Sequence, residues 1–119
     1  MERFVIEGGK QLHGVIRPGG SKNEALPILA ACLLTNEPMV IRNLPMIADV
    51  QVMIEVLKSL GATVEELEPS ALRITTGEPN TTVLDATLCS RIRASILFAG
   101  PMVARMGAVT LPPPGGDVI

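Results

Sequence analysis

Apolar and polar positions along this chain fall into two rhythms, and each change of rhythm marks an element. The short runs Phe4-Val5-Ile6 and Val15-Ile16 lie on either side of Gly8-Gly9, and Gly14 and Pro18 bound the second, which predicts two short strands. Residues 22–34 are apolar almost throughout and predict a helix entered through Ser21 as its cap. Pro27 falls inside that helix and predicts a kink. Met39-Val40-Ile41, after the Asn36-Glu37-Pro38 turn, reads as a strand. Residues 49–60 predict a second helix with Val52, Leu57 and Leu60 on its apolar face, and Gly61 is placed to end it. Strands are expected over 62–67 and 72–75, divided by Pro69-Ser70, then a third helix over 90–106 and a last strand over 108–111. That strand runs into Pro112-Pro113-Pro114-Gly115-Gly116-Asp117.

A shift of 69 residues brings two windows into register. Ser21 falls on Ser90, Ala25 on Ala94, Ala30 on Ala99 and Val40 on Val109, with Lys22 on Arg91. Each window reads as cap, apolar helix, strand, so the chain is expected to hold one βαβαββ unit and the start of a second. The apolar residues are divided in an unusual sense. Residues 25–34 and 94–104 are apolar on every side, as in helices buried all round. Val64-Glu65-Glu66-Leu67 and Arg73-Ile74-Thr75 instead put polar side chains on one face. The expectation is an α/β fold with helices inside and sheets outside.

Composition narrows the function. A chain of 119 residues supports one small domain with a modest core. Its 47% hydrophobic and 18% charged residues exclude a disordered tail. The net charge is −2 and Phe4 and Phe98 are the only aromatics, which argues against a nucleic-acid partner held by charge or base stacking. The uncharged apolar runs over 25–34 and 94–104 are too short to span a bilayer, and Glu2, Arg3 and Glu7 interrupt the N-terminus. No membrane association and no secretory signal are expected. Cys32 and Cys89 lack metal-ligand spacing and read as reduced packing thiols of a cytoplasmic protein, with no metal site. His13 reads as a surface residue and the methionines as core filler.

The chemistry gathers at Ser21-Lys22-Asn23, delivered by Arg17-Pro18-Gly19-Gly20. Free backbone N–H groups and the Lys22 ammonium share a helix start, so an anion such as phosphate fits there. A lysine in a first helical turn opposes the helix dipole, and an anionic ligand would offset that opposition. The alternative is a solvated lysine beside a cap serine, since Gly-Gly-Ser-Lys is not the full phosphate-loop pattern.

These residues, together with others downstream, resemble the UDP-N-acetylglucosamine 1-carboxyvinyltransferases, the UDP-GlcNAc enolpyruvyl transferases. The motifs are Gly20-Ser21-Lys22-Asn23-x-Ala25-Leu26-Pro27-Ile28-Leu29, Leu60-Gly61-Ala62-x-Val64, Arg93-Ala94-Ser95-Ile96-Leu97, Gly100-Pro101-x-Val103-Ala104-Arg105 and Leu111-Pro112-x-Pro114-Gly115-Gly116. They follow the family's order across the whole chain. The 5-enolpyruvylshikimate 3-phosphate synthases share the fold but usually carry a Ser-Lys-Ser start, so Asn23 favours the UDP-sugar enzymes.

The resemblance implies an inside-out α/β barrel built of βαβαββ repeats, of which this chain is an incomplete portion. Residues 1–20 would be strands joining the other domain, and 21–119 the first repeat and part of the second. It implies transfer of enolpyruvyl from phosphoenolpyruvate to the 3-hydroxyl of UDP-N-acetylglucosamine with release of phosphate, the first committed step of peptidoglycan synthesis. No metal or organic cofactor is needed. Lys22 and Asn23 match the phosphoenolpyruvate-contacting pair, and Arg93 matches an arginine near the UDP-sugar site. Arg91 stands where the family fixes no residue and reads as solvated or salt-bridged, and Arg105 reads as structural.

Asp117 stands where most members carry a cysteine acting as general acid on a mobile loop. An aspartic acid of ordinary pKa, about 3.9, is protonated in roughly one part in a thousand at pH 7, so burial or nearby negative charge must raise its pKa. Gly115-Gly116 would supply hinge freedom and the prolines a stiff arm. Loss of the thiol implies resistance to the alkylating antibiotic fosfomycin. Family members are several times longer, so the 119-residue piece is expected to be inactive alone and to need the rest of the enzyme or self-association. The rival readings are a shikimate-type enolpyruvyl transferase and a non-catalytic anion-binding fragment.

Overall fold

The computed structural model describes residues 2–116. Helix α1 spans Lys22–Ala31 and tightens into a 3₁₀ turn at Cys32–Leu34. Strand β1 (Met39–Ile41), helix α2 (Ala48–Ser59) and strands β2 (Thr63–Glu68) and β3 (Ala71–Thr75) follow. Each answers to an element expected from the apolar pattern, within a residue or two at its ends. Pro27 is accommodated within α1. Ser21 occupies the cap position with extended backbone, but its hydroxyl makes no capping bond. At the end of α2, Gly61 N–H donates to Lys58 O and Ala62 N–H to Leu57 O, the paired bonds of a Schellman motif.

The strands form an antiparallel sheet in the order β1-β3-β2. Register sets Ile74 opposite Met39 and Val64, and Arg73 opposite Val40 and Glu65. The period of two therefore puts Leu72 and Ile74 on a buried face and Arg73 and Glu65 on an outer one. Arg73 Nη1 reaches Glu65 Oε2 at 2.8 Å on that outer face. Behind the sheet lies α2, whose Val50, Met53, Val56 and Leu57 are fully buried, beside Leu29 and Leu33 of the α1 segment. Helices inward and a one-sided sheet outward is the arrangement the strand polarity suggested.

Two ties fix the ends of these layers. The buried Thr76 hydroxyl lies 2.5 Å from Cys32 O and 2.7 Å from Thr35 O, joining the exit of β3 to the exit of the first helix. The Arg105 guanidinium donates to Leu33 O, Asn36 Oδ1 and Gly77 O, at 2.6, 2.5 and 3.2 Å. Arg105 is a structural tie, as expected.

Four expectations need correction. Residues 2–20 form no helix or strand, and Phe4, Ile6, Val15 and Ile16 stand exposed. Apolar alternation makes a strand only beside a partner edge, and none lies along this segment. The helix expected over 90–106 is broken. A short α3 (Ala86–Cys89) ends before it, and its place holds a turn, a 3₁₀ stretch at Arg93–Phe98 and α4 (Ala99–Met106). The true start signal is Asp85, whose carboxylate accepts from Leu88 N–H at 2.9 Å, so Ser90 ends a helix rather than beginning one. The strand over 108–111 reduces to one parallel bridge between Val83 and Thr110. Finally, α1 and α4 are not buried all round. Ile28, Leu34, Ile96 and Val103 are 41–54% exposed, because the sheet and α2 cover only one side of this helical layer. No helix of the described residues is long and apolar enough to cross a membrane.

Candidate functional site

An open cleft of about 650 Å³ lies where the start of α1, the start of α2 and the turn after α3 meet. Lys22, Asn23 and Leu26 line it from α1, Asp49 from α2, and Arg91 and Arg93 from the turn and the 3₁₀ stretch, with Gly116 at its edge. Lys22 and Asn23 thus share one wall system with Arg93, which is distant in sequence. Ile92, between the two arginines, is buried with extended backbone, so the arginines on either side of it both face the cleft.

Lys22 Nζ lies 3.0 Å from Asp49 Oδ2, with both side chains about half exposed at 48% and 40%. Asp49 sits in the first turn of α2, where a carboxylate favours the helix dipole. Its role was not foreseen. The available signal was an acidic residue opening the helix that packs beside the one opened by Lys22. Arg91 and Arg93 enter no ion pair among the described residues. Among the described residues the cleft therefore sets three cations against one carboxylate, although the chain carries a net charge of −2. Such a surplus in a concave site attracts a multiply charged anion.

Glycines bring the backbone segments close enough to build this site. A Cβ on Gly20 would stand 1.8 Å from Asn43 O, so only glycine lets the segment before Lys22 pack on the turn after β1. A Cβ on Gly115 would stand 1.4 Å from Ser90 O. Its N–H donates to Cys89 O at 3.0 Å, seating the C-terminal loop on the turn that carries Arg91 and Arg93. Gly115 is thus a docking point in this structure. Asp117 lies outside the described residues, and Gly116 before it lines the cleft.

The remaining candidates lie elsewhere. His13 is exposed in the N-terminal segment. Cys32 and Cys89 are buried free thiols, and burial pushes Cys32 up to about 11 and raises Cys89 as well. Among the described residues no group of His, Cys, Asp and Glu is placed to hold a metal ion.

The family profile for EPSP synthase (3-phosphoshikimate 1-carboxyvinyltransferase) matches residues 6–119. The UDP-N-acetylglucosamine 1-carboxyvinyltransferase of Bradyrhizobium diazoefficiens is 50% identical over 117 residues, covering 98% of this chain and 27% of that protein. The enzyme of the same name from Treponema denticola is 44% identical over 119 residues, covering 100% of this chain and 28% of that protein. Among solved structures, the enolpyruvyl transferase NikO from Streptomyces tendae superposes with a TM-score of 0.71 at 27% identity, over 84% of this chain and 23% of that one. The chain thus spans little more than a quarter of the length of these curated relatives.

Proposed function

The chain belongs to the EPSP synthase family of enolpyruvyl transferases, and on that premise we propose that it serves as the anion-binding portion of a UDP-N-acetylglucosamine 1-carboxyvinyltransferase. Its fold is a portion of that family's inside-out α/β barrel. The observation that carries the reading is the convergence of Lys22, Asn23 and Arg93 on one cleft with surplus positive charge.

In the proposed reaction the sugar 3-hydroxyl gives up its proton to solvent as its oxygen bonds to C2 of phosphoenolpyruvate, while a proton from a general acid adds to the methylene carbon. The C2–O bond to phosphate then breaks, a proton leaves the new methyl group, and enolpyruvyl-UDP-GlcNAc and phosphate result. Lys22 and Arg93 offset the phosphate and carboxylate charge that persists through both steps. Asn23 offers an amide donor beside Lys22. Asp117 is the proposed proton donor to the methylene carbon, an assignment that rests on the Pro-Gly-Gly motif and on Gly116 lining the cleft. The reading needs no metal or organic cofactor and carries with it a cytoplasmic location and a role in cell-wall synthesis.

The exposed side of the helical layer and the bare apolar residues 4–6 and 15–16 give the isolated chain surfaces suited to the rest of such an enzyme or to self-association. The deciding experiment is phosphate release from phosphoenolpyruvate, with and without UDP-N-acetylglucosamine, by this chain and by the full reading frame. UDP-N-acetylglucosamine-dependent release by the long form supports the reading, and release by neither form defeats it. The match to the EPSP synthase family favours one second reading, in which shikimate 3-phosphate is the acceptor. Release with shikimate 3-phosphate but not with the UDP-sugar would establish that instead.

Fosfomycin gives a separate test of Asp117. A carboxylate is a poor nucleophile toward an epoxide, so the active protein should stay unmodified and active in the drug. Asp117→Cys should become sensitive, gaining one drug mass by intact-protein mass spectrometry. Stoichiometric modification of the unsubstituted protein would contradict the assignment.

A further inference from the structure

The Lys22–Asp49 pair is too exposed to be explained by stability. Half-exposed ion pairs contribute about 0.2–1 kcal/mol at most. Its geometry is more informative. Lys22 carries a flexible stem and a point charge, so its ammonium takes its direction from whatever holds it. Asp49 is rooted in α2, the most deeply buried helix, and Asp49 Oδ2 stands 3.0 Å from Lys22 Nζ on the wall of the cleft. An incoming phosphate or carboxylate must share that ammonium's three donors with the oxygen and meets its negative charge.

We infer that Asp49 is a positioning residue. It holds the Lys22 ammonium over the cleft before substrate arrives, and it yields part of that contact to the substrate anion. The inference rests on the enolpyruvyl-transfer reading for its effect on turnover, but not for its effect on anion binding. It has two opposed consequences. Removing the Asp49 charge frees the ammonium, so anions bind more tightly. It also removes the aim of that ammonium, so turnover falls.

The test is a double-mutant cycle in the full reading frame, with Asp49→Asn, Lys22→Ala and both together. Steady-state rates with phosphoenolpyruvate and UDP-N-acetylglucosamine are measured beside calorimetric titration with inorganic phosphate. Asp49→Asn is expected to lower kcat by about tenfold or more without raising KM for phosphoenolpyruvate. It is expected to tighten phosphate binding by up to about fivefold. In the Lys22→Ala background it should change neither quantity further, and Asp49→Glu should recover most of kcat.

A residue that merely stabilises the start of α2 would lower Tm, leave kcat unchanged and act alike with or without Lys22. That result overturns the inference. If the unsubstituted protein releases no phosphate from phosphoenolpyruvate, the functional reading has failed, and the phosphate titration alone decides. Tightening by Asp49→Asn that disappears with Lys22→Ala upholds the positioning role there. Its absence, or its persistence without Lys22, overturns it.

Discussion

The two windows that superpose on a 69-residue shift, one opening at Ser21 and the other at Ser90, have similar apolar composition and different structures. The first runs as α1 into a single 3₁₀ turn. The second starts where α3 ends and is broken into a turn, a 3₁₀ stretch and α4. In an unbroken helix the Cys89 carbonyl would accept from the N–H of Arg93. Here it accepts from Gly115 N–H at 3.0 Å and from Ile92 N–H at 3.4 Å, and Ile92 turns extended. A distant loop and a tightened last turn share the carbonyl that would have continued the helix. The break bears on function, because it places Arg91 and Arg93 on a turn facing Lys22 instead of along a helix flank. A continuous helix supplies the lysine and a broken one supplies the arginines.

Removing the cations from each window should produce the largest effects. Lys22→Ala in the full reading frame is expected to lower kcat/KM for phosphoenolpyruvate by about 10²–10³-fold, the scale of losing a group that offsets transition-state charge. Arg93→Ala should cost about tenfold or more by the same reasoning. Arg91→Ala should do less, because the family motif does not include that position. Steady-state kinetics on purified variants checks the order. Equal losses at Arg91 and Arg93 would mean that the turn presents charge without distinguishing its arginines.

The glycine that breaks the second window comes next. In Gly115→Ala the added methyl would meet the Ser90 carbonyl at 1.4 Å, which no small adjustment relieves, so the loop must leave its seat. Activity should fall by about tenfold or more, since displacements near 1 Å at a site can cost that much. Global stability should change little, because the loop lies outside the core. Gly20→Ala meets Asn43 O at 1.8 Å and disturbs the other window at the root of α1, so it should lower both activity and Tm. Paired melts and rate assays separate the two cases.

Much of the first window was legible in the sequence because its determinants are local. The apolar run after Ser21, the turn at Asn36-Glu37-Pro38, the Gly61 stop and the alternation through Val64 and Ile74 each act within a few residues. The second window was misread because its decisive contact joins Cys89 to Gly115, across a separation that no periodicity spans. The start signal at Asp85 was local and was overlooked beside the stronger apolar run after Ser90. The N-terminal strands fail for the opposite reason, since the apolar run Phe4-Val5-Ile6 has no edge to pair with among the described residues. For the site, Lys22, Asn23 and Arg93 were legible from motifs. Asp49 was not, because a carboxylate at a helix start has an adequate local explanation in the dipole.

Arg105 links the two windows directly, its guanidinium in the second window bonding the Leu33 carbonyl that ends the first. In Arg105→Met the stem volume is kept while the bonds to Leu33 O, Asn36 Oδ1 and Gly77 O are lost. Bonds from a charged donor contribute about 1.5–3 kcal/mol each when well buried, and these are partly exposed, so a total loss of about 1–3 kcal/mol is expected. Urea denaturation should show a lower midpoint with an unchanged slope. A changed slope would mean that the windows part and unfold separately once the tie is cut.

The smallest effect concerns the buried thiols, Cys32 within the first window and Cys89 immediately before the second. Burial raises the pKa of Cys32 from 9.0 to about 11, and that of Cys89 also rises, through burial first and the nearby Asp85 charge as well. The folded state therefore binds protons that the unfolded chain releases sooner. The Cys32 contribution is whole below about pH 9 and declines as pH rises through about 11, as the thiol ionises in the folded protein too. Stability should fall across that interval, and Cys32→Ser should flatten the fall while lowering stability at neutral pH by exchanging a thiol for a more polar hydroxyl. Cys89 ends a single-turn helix whereas Cys32 leaves the longer α1, so iodoacetamide in the folded protein should label Cys89 first, through local opening, as the solution is made alkaline. If Cys32 labels first, the exit of α1 opens more readily than the turn after α3, and the unbroken window is the looser of the two.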